Sequence, residues 1–383
     1  MTIDFKNRDY SLTGVENKLA EENGLAGAEW YTCPVPRKRL KELMKRKDGP
    51  AIRDTILWFT LLIGFGYLAF LSWGTWWAIP AFLVYGVVYA LPANSRWHEC
   101  SHGTAFKTEW MNEVVYQIAS FMTLFPATHR RWSHTRHHTD TIIIGRDPEI
   151  GSHRPPVWHI LFMELMRLYG GLRDLKRVIF LHFFGKLDKE EETFIPDVAS
   201  ERRKVFREAR VWVLIFATVI GLCVYTQSIL PAMFVVLPTF YGGTINLMYG
   251  LIQHTGLYEN VLDHRLNSRT FYTNPIARFL YWNMNYHIEH HMFPMVPYHA
   301  LPALHEEIKG DCPQASPNGW VALKEVIVSL VRQHKDPTYT VIRPLPSTAN
   351  PYRYGNHPVG TPPELYEKYM EQMTVRNRKV GNL

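Results

Sequence analysis

The feature that most limits what this chain can fold into is an uncharged apolar run from Thr55 to Trp73. A short interval beginning at Gly74 follows it, and a second apolar run ends near Ala93. Each run is close to the ~20 residues that an α-helix needs to cross the hydrocarbon core of a bilayer. Because the interval is too short to contain a domain, the runs predict a transmembrane hairpin with spans at about 55–73 and 76–93.

A second pair of apolar runs, at about 211–226 and 229–252, predicts a second hairpin of the same kind. Pro231 and Pro238 are expected to kink its last helix, because proline interrupts the helical hydrogen bonds. Gly242 and the glycine after it are expected to let another helix approach closely. The two hairpins together predict four transmembrane helices that enter and leave on one side.

Basic residues indicate which side that is. The formal net charge is +7, and Arg/Lys-rich patches at 130–131, 173–177 and 202–210 lie between the hairpins. By the positive-inside rule these patches, and with them both termini, are expected on the cytosolic side. Basic residues that flank apolar spans favour contact with membrane lipids, and we expect no nucleic-acid partner.

The predicted fold class is therefore an all-α integral membrane protein, with four transmembrane helices arranged as two hairpins. Residues 1–54 are expected to form a cytosolic N-terminal segment, 55–310 the membrane domain, and 311–383 a cytosolic C-terminal segment with a Pro-rich tail. Segments 110–128 and 157–172 are apolar on one face, which predicts helices at the membrane surface. The four cysteines form no CxxC pair, which favours reduced thiols and excludes a zinc ribbon.

Three histidine clusters carry the chemistry of the chain. Side chains at positions i, i+3 and i+4 of a helix project from one face, so each cluster can direct its imidazoles at one point. Neutral imidazole is a common ligand of iron, zinc and copper. Eight converging imidazoles are too many for one metal and suit two. The clusters are His98 and His102; His134, His137 and His138; and His287, His290 and His291.

Two other readings of these clusters stay open. The first cluster, taken alone, is an HExxH motif with Glu99, as in zinc metalloproteases. A protease of that kind needs about three protein ligands to one zinc, which would leave the other two clusters without a role. The second reading is a noncatalytic metal-binding membrane protein, which would consume no O2 with any reductant.

The chain resembles the membrane fatty acid desaturase/hydroxylase superfamily in two respects. One is the spacing of the three clusters, and the other is the sequence from Asn285 to His305, which includes the dipeptide Phe293–Pro294. The resemblance covers roughly residues 55–310. Members of that superfamily carry HxxxH, HxxHH and HxxHH boxes that hold two irons. The first box here has glutamate where many acyl desaturases have aspartate. The resemblance implies a cytosolic helical cap that carries a diiron site.

It also implies a set of metal ligands. In acyl-CoA desaturases of the family a ninth histidine comes from the end of the last span, and His254 occupies that place. Metal-bound histidines usually donate their second ring N–H to an outer acceptor, and Glu99, Asp140, Asp147 and Glu289 are candidates for that role. The implied ligands are His98, His102, His134, His137, His138, His254, His287, His290 and His291.

The activity implied is that of an O2-dependent diiron desaturase or monooxygenase. Two iron ions would be the cofactors and O2 the co-substrate, and an unactivated C–H bond would be desaturated or hydroxylated. A fatty acyl chain or lipid is the expected substrate, and an alkane or a small polar or amino compound is the alternative. With no dinucleotide fingerprint in the chain, electrons are expected from a separate ferredoxin, rubredoxin or cytochrome b5. The expected location is a bacterial inner (plasma) membrane, with the active site facing the cytosol.

Overall fold

The computed structural model describes residues 8–352, and every regular element in that range is a helix. Two isolated β-bridges, Thr270 with Tyr286 and Phe271 with Ser316, are the extent of β-pairing among those residues. The predicted all-α class is confirmed. The helices, in chain order, are α1 Val15–Glu22, α2 Arg37–Leu43, α3 Asp48–Ser72, α4 Ala78–Ser101, α5 Glu109–Thr123, α6 Ala127–Thr139, α7 Trp158–Glu164, α8 Leu168–Phe180, α9 Ala199–Thr226, α10 Leu230–Val235, α11 Pro238–Tyr241, α12 Thr244–His254, α13 His264–Asn267, α14 Pro275–Leu280, α15 His287–Met292, α16 Leu301–Ile308 and α17 Gly319–Lys335, with short 3-10 turns at His182–Phe184, Glu191–Thr193 and Lys309–Asp311.

Three helical stretches in the described range are long and apolar enough to cross a membrane. They lie within Arg37–Ser72, Ala78–Ser101 and Ala199–Thr226. The middle one, α4, is 56% buried over its most apolar part, against 11% and 17% for the other two. It is therefore the central helix, and α3, α5, α11 and α12 all pack against it. The indole Nε1 of Trp58 in α3 donates to the Val88 carbonyl of α4 at 2.9 Å, which fixes the register of this pair.

The last predicted span, 229–252, is divided into α10, α11 and α12 and is not among those three stretches. Pro231 stands in the first turn of α10, and Pro238 is the first residue of α11. Proline lacks an N–H, and its ring clashes with the preceding turn, so it fits best in the first turn of a helix. At Pro238 the expected kink is a complete break between α10 and α11, whereas Pro231 lies in the first turn of α10 and does not interrupt it. The second break, between α11 and α12, falls at Gly242 and Gly243.

The close approach expected at Gly242 occurs between α11 and α4. A Cβ at Gly242 would lie 2.1 Å from the carbonyl carbon of Gly86, and a Cβ at Gly86 would lie 2.5 Å from the Tyr241 ring. Real Cβ atoms do not pack at such distances, so both positions require glycine. Tyr241, Tyr85 and Tyr89 reinforce the contact, because their hydroxyls donate to main-chain carbonyls of 233–235. The broken segment is thereby held against the central helix.

The N-terminal segment, placed on the cytosolic side from its charge alone, makes specific contacts in the structure. Arg8 pairs with Glu259 at 2.7 Å, and the Trp30 indole donates to the Thr139 carbonyl at 3.1 Å. The Cys33 amide lies 3.1 Å from the sulfur of Met292, directly after the third histidine cluster. Residues 8–33 thus wrap over the helices that carry the histidines. Of the Pro-rich tail, residues 353–383 lie outside the described range.

We predict that Gly86→Ala destabilises the protein by about 1–3 kcal/mol, because the added methyl overlaps the Tyr241 ring and α11 must move. The measurement is thermal unfolding of the purified protein, followed as loss of the monodisperse chromatographic peak. Gly221→Ala in α9 is the matched control, since its Cβ would meet nothing within 4 Å. Equal midpoints for the two variants would contradict the proposed contact.

Candidate metal centre

The first histidine pair stands at the end of the central helix. α4 continues past the predicted end of its span to Ser101, so His98 lies in its last turn and His102 is its C-cap. Two residues before His98, the fully buried Arg96 lies between the rings of Trp58 and Trp282, at 4.9 and 4.5 Å from their centroids. Its Nη1 donates to the Leu280 carbonyl at 2.9 Å. This contact ties the end of α4 to the segment that leads into the third cluster.

The second cluster lies on α6, whose start is held by the long helix α9. Glu208 of α9 accepts hydrogen bonds from the Thr128 amide at 2.8 Å and the Thr128 hydroxyl at 2.7 Å. A carboxylate at this position satisfies a free amide of the first turn and complements the helix dipole. A long apolar helix therefore sets the position of His134, His137 and His138.

The third cluster lies on α15, a helix of only 6 residues, all of them buried. So short a helix is marginal by itself and depends on tertiary contacts. Glu289 supplies two of them: its carboxylate accepts from the Thr270 hydroxyl and faces Nδ1 of His305, each at 2.5 Å. These bonds are made on the side of α15 away from its histidines.

The nine histidines named from the sequence come together in two groups. One holds five, the other four, and within each group the candidate ligand nitrogens lie within 4.8 Å of one another. Both groups draw on the second and third clusters, so neither can assemble without α6 and α15. The groups are His98, His102, His134, His138 and His290, and His137, His254, His287 and His291.

Several of these nitrogens face one another at contact distance. Nε2 of His287 lies 2.9 Å from Nε2 of His254 and 3.0 Å from Nε2 of His291. In the group of five, Nε2 of His138 lies 3.1 Å from Nε2 of His134. Imidazole nitrogens converge in this way where a shared cation binds them.

Outer contacts determine which ring nitrogen faces inward. Nδ1 of His134 lies 3.1 Å from the Glu149 carboxylate, and Nδ1 of His137 lies 2.8 Å from that of Asp147. Nδ1 of His254 lies 2.8 Å from the Asn267 carbonyl. Carbonyl and carboxylate oxygens accept only, so each Nδ1 carries the hydrogen and the Nε2 lone pair is free for a metal.

The same logic extends to His291. The Thr141 hydroxyl donates its one hydrogen to the His137 carbonyl at 2.7 Å. It must therefore accept from Nδ1 of His291, which lies 3.2 Å away. Thr141 thus couples the orientation of one histidine in the group of four to the backbone of another.

Burial keeps the imidazoles in the form that binds metals. Burial lowers the pKa of His134, His138, His287, His290 and His291 well below its ordinary value, and neighbouring imidazoles lower it further. His137 differs: burial opposes its charged form, but the Asp147 and Glu149 carboxylates together outweigh burial and the pKa is raised.

The donor set fits two transition-metal ions. Among the described residues, Nε2 of His98, Nε2 of His102 and both ring nitrogens of His290 are buried without a hydrogen-bond partner. Leaving a buried polar atom unsatisfied costs about 1–3 kcal/mol, and coordination would recover that cost. All-nitrogen sites suit iron, zinc and copper, so the donors by themselves do not select among these metals.

Three carboxylates expected to orient ligands make other contacts. Glu99 accepts from the Thr104 hydroxyl at 2.7 Å and the Tyr298 amide at 3.0 Å. Asp140 pairs with Arg136 and with Arg146. Glu289 bonds as described above. These three carboxylates support the backbone around the centre. Among the described residues, none of the three forms a side-chain hydrogen bond with any of the nine histidines.

Sequence reasoning named Asp147 among the candidates but missed Glu149, Thr141 and Asn267. Glu149 follows the second cluster in an Asp-Pro-Glu step, so a search for carboxylates just beyond the cluster would have found both acids. Asn267 contributes its main-chain carbonyl, which carries no residue-type signal. Thr141 acts through a hydroxyl that is common in loops, and nothing in the sequence marks it.

A polar cavity of about 420 Å³ lies against α6 on the side of these acids. Ser133 and Asp147 form part of its wall, with Arg130, Arg173 and Arg177. Ser133 donates to Glu149 at 2.9 Å. The cavity therefore reaches the Asp147 carboxylate that orients His137, and Ser133 separates it from the Glu149 carboxylate that orients His134. A second cavity, of about 20 Å³, lies against His254 and is large enough for one water molecule.

Comparison with known proteins agrees with this geometry. The family model for fatty acid desaturases matches residues 74–320. The chain is also similar to the omega-6 fatty acid desaturase, chloroplastic, of Arabidopsis thaliana, with 25% identity over 263 residues. That alignment covers 63% of this chain and 54% of the relative, so the chain spans about half the length of the curated relative that it matches.

We predict that Glu149→Ala lowers the metal affinity of the group of five about 10–100-fold, because Nδ1 of His134 loses the acceptor that orients its ring. The measurement is the metal retained per chain after dialysis against graded chelator. Glu190→Ala is the control, since Glu190 lines the same cavity but is exposed and accepts from the Leu12 amide. Equal metal retention by both variants would exclude this role for Glu149.

Proposed function

The chain belongs to the fatty acid desaturase family, and on this premise we propose that it is a membrane-bound nonheme diiron oxidoreductase. It uses O2 and external electrons to desaturate or hydroxylate an unactivated C–H bond. The observation that carries the proposal is the grouping of nine histidines into two adjacent sets of five and four. A single-zinc protease needs about three protein ligands at one site, whereas this chain brings together five histidines at one site and four at another.

The chain's own residues would hold and shield the metals. His98, His102, His134, His138 and His290 would hold one iron, and His137, His254, His287 and His291 the other. Two irons bound there would supply the activation of O2. No protein side chain needs to act as a nucleophile. The protein's contribution is to fix the imidazoles, exclude bulk water and place the substrate chain.

Aromatic rings close the centre on two sides. The Trp97 ring lies 5.4 Å from His98 and 5.2 Å from His134. On the other side Trp30 stacks on His264 at 4.3 Å, and His264 lies 5.2 Å from His291. Because Trp30 belongs to the N-terminal segment, that segment contributes to excluding water from the group of four.

A fatty acyl chain or lipid is the proposed substrate. The family match and the three apolar helices support it, since such a substrate reaches the centre from the bilayer. A small polar or amino compound is the second candidate, and the polar cavity beside Ser133 and Asp147 favours it. An alkane is a variant of the apolar case.

The remaining components follow from the same proposal. Electrons come from a separate ferredoxin, rubredoxin or cytochrome b5, and the net charge of +7 suits an acidic donor.

Segment 229–252, although divided into three helices, forms the fourth crossing, with its breaks packed against α4. The centre then faces the cytosol from a bacterial plasma membrane, with both termini on that side.

The proposal predicts two irons per purified chain and a product that depends on O2 and reductant. Iron and zinc are measured in the full chain in lipid nanodiscs. Lipids and polar metabolites are compared between cells expressing the chain and cells expressing His137→Ala. New double bonds or hydroxyls on acyl chains are expected. One zinc with negligible iron would support the protease reading, and full iron with no O2 consumption would support a metal-binding protein.

We predict that His254→Ala loses iron and nearly all turnover, because His254 comes from a different helix and completes the group of four. His334→Ala, a change on the exposed side of α17, should keep both irons and most activity. His264→Ala is the discriminating variant. If it loses iron while His254→Ala keeps it, His264 and not His254 is the ninth ligand.

A further inference from the structure

The helix α17, the last one in the described range, has an exposed apolar stripe that nothing in the proposed function uses. Trp320 is 79% exposed, Ile327 52% and Val331 46%. These positions are seven and four residues apart, so the three side chains project from one line on the helix surface. Large apolar side chains that form a continuous exposed stripe usually mark a contact surface.

The opposite face of α17 is fixed to the protein, so the stripe cannot turn inward. Ala322, Val326 and Leu330 are buried against Ile252 of α12 and Phe271. At one edge, Glu325 forms an ion pair with the buried Arg269 at 2.6 Å. The orientation of the helix, and with it the direction of Trp320 and Ile327, is therefore determined by its packing on α12.

The stripe continues into a second exposed apolar helix. His334 lies beside the stripe in the last turn of α17. Its ring packs edge-on against the Trp158 ring of α7, with 6.1 Å between the ring centroids. In α7, Leu161 packs against the same core as α17, while Phe162 is 76% exposed. The sequence predicts segment 157–172 to lie at the membrane surface, and α17 extends that surface.

Charge and position identify what covers the stripe. Lys324 is exposed on the line of the stripe between Trp320 and Ile327, and Arg332 and Lys335 are exposed beside it. An apolar face with tryptophan and with basic side chains long enough to reach the headgroups is typical of helices that lie in the bilayer interface. α17 also packs on α12, the last helix of segment 229–252, where that segment meets the metal-bearing part of the chain. We propose that α17 lies in the interface of the bilayer, with Trp320, Ile327 and Val331 among the acyl chains and its lysines near anionic headgroups.

The test uses the full chain in nanodiscs with an environment-sensitive fluorophore on α17. Cys33, Cys100 and Cys312 are 1–2% exposed, so Cys223→Ser leaves a background with only buried thiols. Ile327→Cys places the probe on the stripe, and Arg332→Cys places it on the exposed flank of the same helix. We expect quenching by nitroxide-labelled lipid to be several-fold stronger at 327 than at 332, and quenching by aqueous iodide to be several-fold weaker.

Other occupants give different results. If 327 and 332 are quenched equally by iodide, the stripe faces water and the proposal is wrong. If 327 is shielded from iodide but not quenched by labelled lipid, residues 353–383 or a second copy of the chain cover it, and the proposal is equally wrong. Anionic lipid should shift emission at 327 further to the blue than neutral lipid does, and Lys324→Gln with Lys335→Gln should remove that difference. An identical shift in both lipids would overturn the headgroup contact.

Discussion

The structure depends on holding nine imidazoles close together, with their candidate metal-binding nitrogens turned inward. Nitrogen lone pairs that face one another at about 3 Å repel, and each unsatisfied buried nitrogen costs about 1–3 kcal/mol. The arrangement persists because partners outside the groups fix the rings: Glu149 for His134, Asp147 for His137 and the Asn267 carbonyl for His254. Metal binding at these nitrogens would recover the cost of burial and would couple occupancy of the centre to the stability of the surrounding fold.

The apolar helices contribute to this arrangement directly. α4 runs on from the apolar region and carries His98 in its last turn, and Glu208 of α9 holds the start of α6. The breaks at Pro238 and Gly242 let the chain pass close to α4 at Gly86 before α12, which ends at His254. The first cluster, the second cluster and His254 are thus positioned by α4, by α9 and by α12 packed on α4, respectively.

Segments that carry no metal ligand complete the surroundings of the centre. Residues 8–33 cover the group of four through Trp30, which stacks on His264, and through Cys33, which contacts Met292. α17 braces α12 from the opposite side through Val326 and Leu330. Because α12 carries His254, the packing of the C-terminal helix bears on a candidate ligand. A helix seated in the bilayer interface would then couple the centre to the membrane.

The sequence by itself determined the helical class, the three long apolar helices and the eight clustered histidines, because hydropathy and i, i+3, i+4 spacing are local properties of the chain. His254 was implied only by the family resemblance. The sequence also indicated the close approach at Gly242. It did not determine how the histidines divide into five and four, since His137 and His138 are neighbours in sequence and yet belong to different groups. Nor did it determine that Glu149, Thr141 and Asn267 orient the rings while Glu99, Asp140 and Glu289 bond elsewhere. The grouping of the histidines and the partners of their rings are determined by the tertiary structure. A hydrogen bond between two elements depends on the distance between them, and the packing of α6, α12 and α15 sets those distances.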